Sequence, residues 1–67
     1  MKTKCHFYTP DGSLNLFQEI PEFVAVNISR GHTPHLFIEG KKYHTTVVYY
    51  NVTLERYEIP VILSSRG

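Results

Sequence analysis

The chain has one cysteine, Cys5, so no internal disulfide can staple its 67 residues, and a lone thiol bridges only to another molecule. That usage fits a reducing compartment. Glycine is sparse, and its four positions, 12, 31, 40 and 67, match no phosphate-cradling loop, which excludes nucleotide hydrolysis built on one. Carboxylates are few and scattered. Asp11 sits in a turn signal, and Glu19, Glu22, Glu39, Glu55 and Glu58 form no pair suited to general acid–base work. No apolar run approaches the roughly 18 residues that cross a bilayer. Lys2 and Lys4 follow Met1 without the roughly 7–15-residue apolar stretch of a secretory signal, so the expected location is cytoplasmic, with no membrane partner. In that setting the sequons at Asn27 and Asn51 go unused.

What is present is ordinary globular material: 42% hydrophobic and 13% aromatic residues, with 19% charged, too few for disorder by charge repulsion. The whole chain, 1–67, makes a single domain. A core of this size supplies only about 3–5 kcal/mol. With no disulfide and no cofactor expected to add to it, a second copy is the expected support, and a homodimer the expected state.

The local pattern is that of strands. TKCHFYT at 3–9 is rich in β-formers, and PDGS at 10–13 is a turn signal opening a hairpin. Leu14 and Leu16 alternate as a strand would, although Ser13 can also cap one helical turn before Pro21. EFVAVNIS at 22–29 places Val24, Val26 and Ile28 on one face and Phe23, Ala25 and Asn27 on the other, which predicts a strand. GHTPH at 31–35 then turns, with Thr33 held extended by Pro34, and HLFIEG resumes the alternation. Gly40-Lys41 predicts a type II′ turn pairing Phe37–Glu39 with Lys42–His44, and residues 42–50, KYHTTVVYY, a single long strand. RYEIPVIL closes the set, with Pro60 demanding an edge or a bulge, before a frayed SSRG tail. The fold class is all-β: a small antiparallel sheet of five or six short strands, curled or an open barrel of SH3-like or OB-like size. The alternative is a twisted meander that covers its apolar face with a second copy.

Metal-ligand chemistry is confined to Cys5, His6, His32, His35 and His44. Cys5 and His6 are adjacent, so on a strand they point to opposite faces, and His32 and His35 flank a proline that opposes convergence. No metal site is expected. A lone Cys on a strand is a small hydrophobe more often than a nucleophile, so no catalytic residue is assigned. The function expected is non-catalytic: occupation of a surface on a larger protein, as accessory or inhibitory proteins of phages and mobile elements do. Tyr43, Tyr49, Tyr50 and Tyr57 are the candidate protein-binding residues.

Charge is uneven along the chain and supports a second candidate. Residues 11–22 carry three acids and no base, whereas 23–50 carry Arg30, Lys41 and Lys42 against Glu39 alone, with His32, His35 and His44. Cations beside aromatic rings are what small β-barrels use on single-stranded nucleic acid, which makes Arg30, His32, His35, Lys41, Lys42 and His44 the candidate contacts. Against it stands a net charge of only +1.

Overall fold

The first reversal is built by Thr9-Pro10-Asp11-Gly12. The Gly12 N–H donates to Thr9 O at 3.0 Å, Asp11 Oδ1 accepts from the Ser13 N–H at 3.0 Å, and Gly12 takes φ +81°. Proline at the second position and Asx bonding at the third are what such a turn requires. Thr9 donates its N–H to Leu14 O at 3.1 Å and accepts the Leu14 N–H on its hydroxyl at 2.9 Å, completing the last rung. The turn joins β1 (Lys2–Tyr8) to β2 (Asn15–Pro21) as an antiparallel pair with Cys5 opposite Gln18. These elements belong to a computed structural model that describes residues 1–32, 35–45 and 47–64. The readings of Thr33, Pro34 and Thr46 and of the final three tail positions lie outside the described residues.

Residues 22–29 are not a strand. They form α1 (Glu22–Ser29), which buries Ala25 and Ile28 and leaves Phe23, Asn27 and Ser29 in solvent. The spacing of Ala25 and Ile28 is that of one helix face, and it outweighs the alternation of Val24, Val26 and Ile28. Pro21 precedes the first turn and Glu22 puts a negative charge at its N-terminus. At the other end the His32 N–H donates to Asn27 O at 2.9 Å and the Gly31 N–H to Ile28 O at 3.1 Å, with Gly31 at φ +79°. That is a Schellman stop, so RGH terminates a helix where the alternation implied a strand-to-strand loop.

The second hairpin, β3 (His35–Ile38) with β4 (Lys41–Thr45), turns at Glu39-Gly40. Both residues have positive φ, 52° and 81°, the type I′ geometry that matches strand twist, where Gly40-Lys41 had implied type II′. Phe37 therefore pairs with Lys42, and the faces stay as expected.

The expected long strand at 42–50 is two strands, β4 and β5 (Tyr49–Asn51), both paired with β6 (Arg56–Leu63). Thr45 lies opposite Val61 and Tyr49 opposite Glu58, so three chain positions separate these pairs on one side and two, Ile59 and Pro60, on the other. The extra residue is a bulge placed where Pro60 has no N–H to give. The Thr45 hydroxyl donates to Pro60 O at 2.8 Å in the same gap. Of the two options Pro60 allowed, the edge is therefore excluded: β6 is central.

Sheet order is β2-β1-β6-β4-β3, with β5 also on β6, and among the described residues only β1 with β6 runs parallel. The sheet curls into a half-barrel whose concave side holds Cys5, Phe7, Ile28, Ile38, Tyr43, Ile59 and Val61. The helix links β2 at one edge to β3 at the other and packs on β1 and β2. Among the described residues no helix is long and apolar enough to cross a membrane.

Ile59 is fully buried in the central strand, so Ile59→Ala is expected to cost about 2–5 kcal/mol. That is comparable with the ~3–5 kcal/mol such a core supplies, so a urea titration should show no folded baseline. Phe23→Ala, at a residue 70% exposed on α1, should shift stability by about 0.5 kcal/mol or less in the same measurement.

Candidate functional site

The convex face of the sheet carries no covering element among the described residues, because the helix lies on the other side. Strand alternation places Lys4, His6 and Tyr8 of β1, Phe17 and Glu19 of β2, Arg56, Glu58 and Ile62 of β6, Lys42 and His44 of β4, and His35 and Phe37 of β3 on this face. Its centre is a polar cluster. His6 Nδ1 meets Glu58 Oε1 at 2.7 Å and His6 Nε2 meets Asn15 Oδ1 at 2.5 Å, while Glu58 Oε2 accepts from Arg56 Nε at 2.7 Å and from Asn51 Nδ2 at 3.3 Å. The parallel register of β1 on β6 sets His6 beside Glu58.

Above this cluster Phe17 stacks on the His6 ring, centroids 4.2 Å apart at 7°, and the Arg56 guanidinium sits 4.9 Å from the Phe17 centroid. Partial burial pushes the Glu58 carboxyl up, but the bonds from Arg56 and His6, the Arg56 charge and Asn51 together hold it below its ordinary value. Both oxygens of Glu58 and both ring nitrogens of His6 are engaged within the cluster. It therefore serves as a platform that orients Phe17 and Arg56, a role for which His6, Phe17, Arg56 and Glu58 had not been singled out. Phe17 and Phe37 were legible, since each alternates with inward leucines or isoleucines.

The four candidate tyrosines do not share a surface. Tyr43 is 6% exposed and belongs to the core. Because of the bulge, Tyr49 faces Glu58 on the convex side while Tyr50 turns to the other face, where it meets the half-buried Tyr57 edge-on with centroids 5.0 Å apart. Tyr49 and Tyr50 are exposed, and so are Val52 and Leu54 in the connection that follows. Leu54 also borders an open groove of about 320 Å³ with Phe17, Lys4 and Arg56.

Of the six candidate nucleic-acid contacts, His35, Lys42 and His44 lie together on the convex face of the β3–β4 hairpin, beside Phe37 at 77% exposure. Lys41, at the hairpin turn, falls on the alternate side from them, and Arg30 and His32 are exposed at the end of α1. Cys5 is buried, and burial pushes its thiol up to about 11, the reverse of an activated nucleophile. Among the described residues no three His, Cys, Asp or Glu side chains are placed to hold one metal ion.

Acid should report on this cluster and on the first turn. The Ser13 backbone N–H, then the hydroxyls of Thr9 and Ser13, lower the Asp11 carboxyl from 3.8 to about 2. Both Glu58 and Asp11 titrate lower in the folded state than unfolded. Their contribution is thus complete above the ordinary values, 4.5 and 3.8, and is lost as pH falls through the folded ones. Melting temperature should fall over that range, with Glu58→Gln flattening the upper part and Asp11→Asn the lower. A wild-type profile flat down to pH about 2 would contradict the assignment. No protein-family model, curated protein or solved structure matches this chain.

Proposed function

We propose that the chain is a small non-catalytic binding protein that acts by occupying a surface on a larger protein. The observation that carries this is the segment 49–54, in which Tyr49, Tyr50, Val52 and Leu54 all present large apolar groups to solvent, Val52 at 78% exposure. Large apolar side chains exposed in succession along one short segment, Tyr49 on one face and Tyr50 on the other, mark that segment as a contact edge. Tyrosine and arginine are the residue types that anchor such contacts, and Arg56 with Phe17 stands beside Leu54. Tyr57 braces Tyr50 and the Glu58 cluster holds Arg56, so these anchors lose little freedom on binding. The mechanism is steric, with β5 and its connection laid over the partner.

A tagged chain recovered from its native cell should retain a protein partner, and Tyr49→Ala with Val52→Asp should weaken that partner's binding by roughly 30-fold or more, as for hot-spot residues. The exposed control Phe23→Ala should bind as wild type. Equal retention by wild type and the double variant would overturn the proposal.

The grouping of His35, Phe37, Lys42 and His44 supports a second reading, a face for single-stranded nucleic acid, in which Phe37 stacks on a base and Lys42 meets phosphate. Binding to an oligothymidine at low salt, measured by fluorescence anisotropy, should then fall steeply between about 50 and 200 mM salt and be weakened in Phe37→Ala. No binding at about 50 mM salt would exclude this reading.

A further inference from the structure

We infer that the chain self-associates head to tail, the β3 edge of one copy pairing with the β2 edge of the next. Backbone parity supports this first. The Thr9–Leu14 and Met1–Glu22 bonds fix the two ends of the β1–β2 ladder. Hydrogen-bonded positions alternate, so Leu16, Gln18 and Ile20 bond to β1, and Asn15, Phe17 and Glu19 turn their backbone groups outward. On β3 the tight turn makes Ile38–Lys41 a bonded pair, and Lys42 O is turned to β6, where it accepts the Ser64 N–H at 2.9 Å. His35 and Phe37 therefore present outward backbone groups.

Direction agrees. β3 runs parallel to β1 and β2 antiparallel to it, so two copies with their convex faces on the same side bring β3 and β2 together antiparallel. Setting Phe37 opposite Phe17 of the next copy matches outward groups to outward groups. It also sets His35 opposite Glu19 and Ile38 opposite Leu16, each pair on one face.

Charge selects head-to-tail contact over a two-fold one. Residues 11–22 hold three acids and no base, whereas the β3 side holds Arg30, Lys41 and Lys42 against Glu39. Lys4 lies behind Glu19, one strand in from the edge. A β3–β3 contact would set the basic side against itself, and a β2–β2 contact the acidic side. A heterologous contact leaves one edge of each kind open, and the rotation between copies decides whether the assembly closes into a ring or extends.

Sedimentation equilibrium tests this. Wild type at up to ~1 mM should show a mass that climbs with concentration to at least twice the 7.8 kDa chain. Glu19→Pro removes an outward donor of β2 and Phe37→Pro one of β3, without touching either inner ladder. Each variant alone should stay monomeric, and an equimolar mixture should stop at a one-to-one dimer. If circular dichroism shows either proline variant unfolded, Glu19→Lys and His35→Glu replace them: each should weaken association roughly 2–5-fold, and mixing the two should restore it. Monomeric wild type, a proline variant that still self-associates, or charge variants whose mixture regains nothing would each overturn the inference.

Discussion

A central strand with a proline in its middle is the constraint on which this structure depends. β6 touches β1 on one side and both β5 and β4 on the other, and it supplies Ile59 and Val61, the largest fully buried side chains. Pro60 has no N–H for a ladder, so the neighbour facing it is interrupted there by one extra residue. That offset reverses the facing of β5 relative to β4. Tyr49 is delivered to the convex face and Tyr50 to the other, and the exposed segment up to Leu54 follows from the same step.

The second organising contact is the parallel pairing of the first and last strands. It sets His6 beside Glu58 and lets Arg56, Asn51 and Asn15 complete a cluster in which a carboxylate is stabilised by several donors. Hydrogen bonds of this kind are shorter and stronger than neutral ones. They hold Phe17 and Arg56 in place on an otherwise open sheet. The cluster and the bulge thus set the same region from two directions, one ordering the convex face and the other supplying exposed apolar groups at its border.

Much of the fold was legible from local pattern. Two hairpins, the outward facing of Phe37, and a special arrangement at Pro60 follow from a period of two and from turn residues, because both depend on neighbours in the chain. The segment 22–29 misled for a physical reason. Its Val24-Ala25-Val26-Asn27-Ile28 order satisfies both periods, and β-branched residues tilt the balance toward strand. The helix wins because Pro21, Glu22 and Gly31 mark its ends and because Ala25 and Ile28 find the concave side of the sheet to fill. The end signals were readable; the surface waiting for that face was not.

The candidate sites divide along the same line. Composition by itself determined that the chain can form no internal disulfide, and the order of residues that acids and bases fall in different stretches. Alternation determined which side chains within a strand share a face. Tertiary structure alone decided which faces meet: that Tyr43 is core while Tyr49 is exposed, that His6 finds Glu58 52 positions away, and that β2 and β3 end the sheet among the described residues. Those outcomes depend on strand order and on one inserted residue. Period and composition are local quantities, whereas partner choice is settled by packing between segments distant in the chain.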